Sequence, residues 1–376
     1  MSEVTTTVVQ SRAERREFIR FPKDLYAGCA QWVPPMDVDM RSFLTQKHPY
    51  FENAPSVFFL FHRGDTVVGR AAAMENRRYN AEHSVNTAHF YFVDFTDDSD
   101  VPPTLFNSMA QWARDRGLES LTGPLFSGGT MGGGVLIHGF EHRAAMTMMP
   151  YNFPYYEQHY VGAGFKKKFD LFSLQAEPSA VRLPDRVELL ADKVRSRGRF
   201  TVEPLRNRGE LKRVADEIER LYNPTLADHS ENYPLTEREL ATLKKDLLTI
   251  ARPDLETVIR YDGEVVGFIL AFPDLSETLQ RNQGKLGPIA IARLLRARSN
   301  NTKILFNGMG ILEKHQRLGG NALLYSELAK SVSAGGGFQD CEMVQINEET
   351  EMMLRDMETL GAVPFKRHRV YTLGWS

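Results

Sequence analysis

The chain has 376 residues, of which 42% are hydrophobic and 25% are charged, and its formal net charge is -2. This length favours two domains, and the apolar fraction suffices for two cores. A net charge near zero excludes a global field for nucleic acid or an anionic membrane, and no stretch approaches the roughly 18 apolar residues of a membrane span. The N-terminus lacks a signal-peptide core, and Cys29 and Cys341 lie far apart, so we expect free thiols in a reducing, cytoplasmic compartment.

The first half begins with short elements separated by polar turns. Residues 16–27 predict a short helix broken by Pro22, and residues 56–61 and 66–74 predict two strands of a hairpin. Residues 75–83 predict a polar loop, which leads to a third strand at residues 89–95.

The turn at residues 96–103 precedes a predicted helix at residues 105–116. It contains three carboxylates, which would repel an anion, and two prolines, which lack the N–H donor. This strand-to-helix turn is therefore unsuited to phosphate binding.

A glycine-rich segment at residues 127–134 follows a predicted strand at residues 118–122. Its five glycines predict either a mobile loop or a backbone surface against a ligand, and the sequence leaves both open. Farther along, Asn152 is a predicted N-cap for a helix that carries Tyr155, Tyr156 and Tyr160, followed by a strand at residues 169–174. Tyrosines at this spacing are typical of amphipathic packing as well as of a site.

The second half repeats the pattern of the first. After a polar hinge at residues 175–186 come a strand at 200–205, helices at 210–221 and 236–248, and a hairpin at 256–272. The hairpin sequence VVGFILAF echoes VVGRAAAM, about 200 residues earlier, which indicates a duplicated domain. We therefore predict domains at residues 1–176 and 177–376.

An insertion at residues 273–302 precedes the last part of the second half. Its basic amphipathic piece, residues 289–298, favours a helix with a solvated face, or one that contacts a lipid surface peripherally or binds a phosphate of a ligand.

Residues 303–332 form the stretch around which the second half is organised. An apolar strand at residues 304–312 passes through a polar loop with Gly319 and Gly320 into a helix that begins near Ala322. The first turn of a helix leaves about four N–H donors unpaired, and the helix dipole adds positive charge there. Glycine allows an anion to approach the backbone closely, so this segment predicts an anion site. A strand at 341–346, a helix at 348–360 and a strand at 370–373 complete the chain.

The loop sequence QRLGGN, residues 316–321, resembles the pyrophosphate loop Q/R-x-x-G-x-G/A of the GNAT acetyltransferase superfamily. A second register, from Arg317 to Ala322, fits the same letters. The resemblance implies an α/β (α+β) fold of two GNAT-like domains, each a mixed, mostly antiparallel sheet flanked by helices. It also implies acyl-CoA as co-substrate without a metal, and the following residues at the CoA site: Ile311, Leu312, Gln316, Arg317, Leu318, Gly319, Gly320, Asn321 and Ala322.

The segment from Asn152 to Phe165 resembles the last conserved segment of GNAT domains, in which a tyrosine protonates the departing thiolate. Tyr160 falls on that tyrosine, and Tyr156 is a second candidate acid. In the second half Met357 takes the corresponding place. We therefore expect one acyl-CoA site, in the second half, with the first half shaping the acceptor or acyl pocket. The predicted substrate-binding residues there are Asn152, Tyr155 and His138.

The whole chain is similar to tandem-GNAT bacterial proteins, which share the run "GP…G-L-(I/V)-x-G-F…YN-x-x-YY…GF-x-K…DL". The acyl-CoA-dependent ceramide synthases of bacteria have a similar architecture, which implies N-acylation of a small-molecule or long-chain lipid amine. Direct transfer needs a base for the amine, and Glu313 and Glu349 are the candidates. Backbone N–H groups near Ile311 and Leu312 would stabilise the thioester oxygen.

Two other functions stay open. A tRNA-dependent aminoacyl transferase is also built from two GNAT-like domains, but it lacks a CoA loop, and the neutral charge predicts no nucleic-acid partner. A catalytically inactive binding protein is compatible with Met357 and Asn321. The sequence does not determine the acceptor, the acyl length or the oligomeric state.

Overall fold

The computed structural model describes residues 2–126, 131–177, 183–226, 231–334 and 338–375. The first half of the predicted glycine-rich loop, residues 127–130, and residues 178–182 of the predicted hinge lie outside these residues. The chain divides into two compact units. The first comprises Met1–Phe172, Ser276–Leu294 and Lys366–Ser376, and the second comprises Ser173–Leu275 and Leu295–Phe365. The sequence predicted a single boundary after residue 176. In the structure, parts of the insertion and of the final strand also belong to the first unit.

The elements follow each other in the order expected of two α/β domains. The strands are β1 (Val4–Val8), β2 (Ser56–Arg63), β3 (Thr66–Met74), β4 (Thr87–Phe95), β5 (Ser120–Gly123), β6 (Val135–His138), β7 (Lys166–Ala176), β8 (Phe200–Glu203), β9 (Thr257–Tyr261), β10 (Glu264–Pro273), β11 (Lys303–Ile311), β12 (Asp340–Asn347) and β13 (Val363–Gly374). The α-helices are α1 (Arg12–Leu25), α2 (Asp37–Leu44), α3 (Arg77–His83), α4 (Val101–Arg114), α5 (Tyr156–Gly162), α6 (Asp185–Ser196), α7 (Arg208–Leu226), α8 (Glu237–Ile250), α9 (Ser276–Asn282), α10 (Pro288–Asn300), α11 (Gly320–Ala334) and α12 (Glu351–Thr359).

The first unit is built on a mixed sheet. β1, β2, β3 and β4 pair antiparallel in that order, β4 pairs parallel with β5, and β5 pairs antiparallel with β13. One face of this sheet packs against α4 and α5 through a cluster that contains Phe95, Leu105 and Tyr160. The other face packs against α1 and α2 around Phe18 and Phe43. Aromatic side chains therefore fill both sides of the sheet.

The second unit repeats this order. β8, β9, β10 and β11 pair antiparallel, and β11 pairs parallel with β12. α7 and α8 pack together, with α7 against β10 and β11, while α11 packs against β9, β10 and α6. A mixed, mostly antiparallel sheet flanked by helices is thus confirmed in each unit.

The two hairpins that share the VVG sequence occupy equivalent positions. Gly69 of β3 pairs with Phe95, the last residue of β4, and Gly267 of β10 pairs with Ile311, the last residue of β11. A Cβ on Gly267 would lie 2.8 Å from Ile311 Cγ1, so this close approach requires glycine. The sequence repeat therefore reflects a structural repeat.

The prediction that Pro22 breaks the first helix is wrong. α1 begins after Ser11, whose side chain and that of Glu14 form a capping box, and the helix continues through Pro22. Pro22 has no N–H to donate to the carbonyl four residues earlier. Arg70 Nη1 donates to that carbonyl, Phe18 O, at 2.8 Å instead. A contact from a distant strand thus satisfies the group that proline leaves free.

Other local predictions also need correction. Residues 77–83 form α3 rather than a loop, because Asn76 accepts hydrogen bonds from the amides of Arg78 and Tyr79 as N-cap. α2, α6 and α9 were not predicted. Within the described parts of the chain, no helix combines the length and apolar character needed to cross a bilayer.

Candidate functional site

The predicted anion site lies where β11 leads into α11. A short 3₁₀ turn, Glu313–His315, follows the strand, and a turn at residues 316–319 reaches the helix. Arg317 has φ +60° and Gly319 has φ +93°, both in the left-handed region. The loop occupies the place that the sequence assigned to it, between a strand and a helix.

The amides of this loop are largely unpaired. The first backbone bond of the helix is from Leu323 N to Gly319 O at 3.4 Å, and Gln316 N donates to Glu313 O at 3.0 Å. Within the described chain, the amides from Arg317 to Ala322 donate to no backbone carbonyl. Gln316, Arg317, Leu318 and Asn321 are exposed, so the loop is open to solvent.

Two cations lie beside these amides. Lys314 and Arg317 are exposed, and no ion pair is described for either. His315 lies between them in sequence but is buried, with its ring 4.7 Å from that of Tyr261, and this burial lowers its pKa. Carboxylates are also near, since Glu313 is exposed in the same loop and Asp262 and Glu264 act on His315. Unpaired N–H donors flanked by free cations form the electrostatic environment of an anion site.

Neighbouring elements hold the loop in position. A Cβ on Gly319 would lie 2.6 Å from Val194 Cγ2 on α6, and one on Gly320 would lie 3.1 Å from Ile311 Cδ1. Gln316 Nε2 donates to Ile311 O at 3.3 Å. Gly319 is therefore required by close packing as well as by conformation, Gly320 is in a tightly packed place, and Gln316 ties the loop to its strand.

β11 opens away from β12 before it reaches the loop. The two strands pair only from Lys303 to Phe306, against Asp340 to Met343. From Asn307 to Gly310 the strand is half-buried and has only β10 as a described strand neighbour. Its backbone there presents a free edge to an extended ligand.

One of the two predicted oxyanion donors is already hydrogen-bonded within the protein. Leu312 N donates to Val266 O at 2.9 Å, so this N–H is already engaged. Ile311 is the buried end of β11 and pairs with Gly267.

The two predicted bases, and the methionine that takes the place of the acid, all belong to the second unit. Glu313 and Glu349 are both exposed, and the amide of Glu349 donates to Asn347 Oδ1 at 3.0 Å. Met357 is buried on α12, and a thioether has no proton to give. The structure does not bring Glu313 and Glu349 into a described hydrogen bond with each other.

The corresponding loop of the first unit has the opposite charge. Arg63 contacts Asp98 at 2.7 Å and Asp100 at 3.1 Å, so two carboxylates of the loop form structural ion pairs. α4 begins directly with Val101, followed by Pro102. Here the loop between strand and helix has five residues, against eight before α11. These features leave little N–H surface for a diphosphate.

The predicted tyrosines of the first unit are packed rather than open. Tyr160 is fully buried, its ring stacks on Tyr371 at 5.2 Å, and its hydroxyl has no described partner. Burial raises the pKa of this hydroxyl well above its usual value. Tyr155 Oη donates to Phe95 O at 2.5 Å, and Tyr156 Oη accepts from Phe95 N at 2.9 Å. Both tyrosines therefore clamp the end of β4.

Asn152 is not the N-cap of α5. Its Oδ1 accepts from Leu136 N at 2.7 Å and its Nδ2 donates to Leu136 O at 3.1 Å, while Tyr155 occupies the cap position. The amide thus extends the hydrogen bonding of β6. His138, at the end of that strand, is exposed.

The sequence did not identify a buried polar network in the first unit. Arg70 Nε donates to Asp94 Oδ2 at 2.7 Å, Tyr26 Oη donates to Asp94 Oδ1 at 2.9 Å, and Tyr26 Oη lies 3.2 Å from Tyr156 Oη. Arg70, Asp94 and Tyr156 line a cavity of about 90 Å³, together with Tyr91. An arginine and an aspartate inside apolar strands were the available signal. Lys314, beside the anion loop, was also overlooked.

Comparisons with known proteins agree with this geometry. No family model matches the chain. It is 26% identical to the protein YghO of Escherichia coli over 96% of this chain and 93% of that one. It is also 26% identical to the bacterial ceramide synthase of Caulobacter vibrioides over 98% of this chain and 97% of that one.

Solved structures share the fold at low sequence identity. A tandem GNAT protein from the clavulanic acid biosynthesis pathway aligns over 99% of this chain and 98% of its own chain, with a TM-score of 0.56 and 13% identity. A GCN5-related N-acetyltransferase from Sphaerobacter thermophilus aligns over 99% of this chain and 95% of its own chain, with a TM-score of 0.51 and 12% identity. The chain therefore has the fold of tandem GNAT proteins, as its sequence motifs predicted.

Proposed function

We propose that this protein is an acyl-CoA-dependent N-acyltransferase, which transfers an acyl group directly from coenzyme A to an amine. One observation carries the proposal: the amides from Arg317 to Ala322 have no described backbone acceptor at the start of α11. A diphosphate matches these donors, and Lys314 and Arg317 add complementary charge. The fold supports acyl transfer, since its solved neighbours are acetyltransferases.

The free edge of β11 suits the arm that connects the diphosphate to the thioester. An extended amide chain can hydrogen-bond to the backbone from Asn307 to Gly310, where β12 has diverged. This arrangement would place the thioester beside N–H groups of the same segment, which stabilise the oxyanion as the amine attacks.

The reaction needs no covalent intermediate on the protein. The amine nitrogen forms a bond to the thioester carbon, the carbon–sulfur bond breaks, and the amine proton leaves through a base to the thiolate. Glu313 and Glu349 stay the proposed bases, and their exposure allows proton exchange with solvent. Because Met357 cannot act as acid, the proton reaches the thiolate from the base or from water.

We infer further that the acceptor is a long-chain lipid amine. The support is the similarity to a protein named bacterial ceramide synthase over nearly the full length of both chains. That the first unit shapes the acceptor or acyl pocket stays a prediction.

The test combines binding and turnover. Calorimetry with CoA should give one site per chain, and free-thiol release from acyl-CoA should require an added amine. Long-chain amines should support faster release than short ones at equal concentration. Thiol release that ignores the amine, or two equal CoA sites, would contradict the proposal.

One observation favours a second candidate, a CoA-binding protein without catalysis. Met357 replaces the acid in the unit that has the loop, and the tyrosine at the equivalent place in the first unit is sealed in the core. This alternative predicts CoA binding by calorimetry with no thiol release for any amine.

A further inference from the structure

An apolar cavity lies in the second unit between α7, α8 and the strands β9 and β10. Its enclosed part measures about 60 Å³, and the empty space including its open mouth is about 620 Å³. Its walls are aliphatic and include Leu211, Val214, Leu243, Leu247, Ile269 and Leu270. Such walls suit a hydrocarbon chain.

Glu256 is a carboxyl group in this apolar lining. It directly precedes β9 and is only 8% exposed. Its Oε1 has no hydrogen-bond partner among the described residues, and its Oε2 accepts from Ala271 N at a long 3.4 Å. Burial raises the pKa of Glu256 well above its usual value. A buried polar atom without a partner is unfavourable unless a ligand supplies one.

Charged groups of α7 and α8 lie beside the cavity. Lys244 of α8 contacts Asp216 at 2.8 Å and Glu219 at 2.5 Å, both on α7. Lys212 and Arg220 also act on Asp216, so the carboxyl of Glu256, and not this cluster, is the group that favours a cation. The other titratable groups that face Glu256 are Tyr222 on α7 and Asp254 on its own segment.

The floor of the cavity adjoins the open part of β11. Leu270 lines the cavity and pairs with Gly308, and its Cδ1 lies 3.8 Å from the position of a Cβ on Gly308. β11 has already left β12 at Gly308. β10, which lines the cavity, is therefore the direct neighbour of the open part of β11.

We propose that this cavity binds the aliphatic chain of a long-chain primary amine, with the amino group at the carboxyl of Glu256. The inference rests on the proposed function in one respect, namely that such an amine would be the acceptor. Binding of the ammonium form to the protonated carboxyl creates an ion pair and releases one proton to solvent. Charge and protons are conserved in this step, and no other reactant is needed.

The experiment is calorimetry of the full chain with decylamine, without CoA, in two buffers of different ionisation enthalpy. Decanoic acid and butylamine are the comparison ligands. We expect decylamine to bind with release of about one proton, and the comparison ligands to bind at least about tenfold more weakly. Equal affinity for decanoic acid would overturn the proposal.

Two variants locate the site. Glu256→Gln keeps the shape of the side chain and should weaken decylamine binding about tenfold and abolish proton release. Ala215→Phe fills the cavity wall, and Ala241→Phe makes the same change on the exposed side of α8. Only the first phenylalanine should block binding, and unchanged binding in both Glu256→Gln and Ala215→Phe would overturn the proposal.

Thiol release on the same samples separates the two proposals. Amine binding that depends on Glu256, without any thiol release, would retain the cavity and remove the transferase. Thiol release with decylamine that is unchanged in Glu256→Gln, together with unchanged binding, would retain the transferase and remove the cavity.

Discussion

A carboxylate placed in the first turn of α11 should weaken CoA binding without harming the fold. Asn321 is the exposed second residue of this helix, among the unpaired amides. In Asn321→Glu the new charge would interact favourably with the helix dipole, by about 0.3–1 kcal/mol. The same charge would repel a bound diphosphate.

The size of the repulsion follows from Coulomb's law. A single negative charge at roughly 7 Å from a diphosphate of charge about -2 costs about 1.2 kcal/mol at the dielectric constant of water, and about twice that at half this value. The Kd for CoA should therefore rise by a factor of about 8–60. Because the Debye length falls from about 10 Å at 0.1 M salt to about 3 Å at 1 M, the factor should shrink at high salt.

The matched control is Met352→Glu. Met352 is 74% exposed and is the second residue of α12, so the variant places the same charge in the same turn of another helix. The assay is calorimetry with CoA at two salt concentrations, with thermal unfolding of each variant. Equal CoA affinity in Asn321→Glu and Met352→Glu would refute the reasoning.

Three further predictions concern the loop, the buried tyrosine and acid stability. Gly319→Ala should lower the free energy of unfolding by about 1–2 kcal/mol more than Gly263→Ala, because both glycines have φ above +90° but only the first would place a Cβ against Val194; urea titration checks this. Tyr160→Phe should keep thiol release within about twofold, since its hydroxyl has no described partner, whereas loss of a general acid would cost about 100-fold or more. Burial lowers the pKa of His89 to about 3, from 6.5. The unfolded chain therefore binds this proton first, and His89 should contribute a fall in stability of about 1.4 kcal/mol per pH unit below about 6.5, in addition to a similar contribution from buried His368.

Each of these has a result that would contradict it. Equal effects of the two glycine substitutions would mean that α6 does not constrain the loop. A large loss of thiol release in Tyr160→Phe would make the first unit the catalytic one. His89→Leu should flatten the acid side of the stability profile measured by urea unfolding at pH 7.5 and 5, and an unchanged slope would argue against a buried neutral imidazole.

The features that the sequence predicted well are local. The segment from β11 to α11 is readable because an apolar run, adjacent glycines and helical spacing all lie within 30 residues. The hairpin repeat is readable because Gly69 and Gly267 each precede an apolar run. In both cases short-range geometry decides the structure.

The features that the sequence missed depend on distant partners. α1 continues through Pro22 because Arg70 donates to the free Phe18 carbonyl, from a strand about 50 residues away. Asn152 was read as a cap, but Leu136 of β6 binds its side-chain amide. Propensity and spacing carry no information on such pairings.

The same limit applies to the candidate site. The loop could be located, but the engagement of Leu312 N by Val266 O required the structure. Glu256 in its apolar cavity was likewise invisible, since the sequence shows only a glutamate before a strand. Burial of that carboxyl results from the packing of α7 and α8, which a single sequence does not specify.

Hydrogen–deuterium exchange of the full chain with and without CoA tests the anion loop most directly. The account predicts that residues 317–322 exchange rapidly in the free protein and become protected when CoA is added, while residues 96–100 do not change. Protection of residues 317–322 before CoA is added, or CoA-induced protection at residues 96–100 alone, would contradict it.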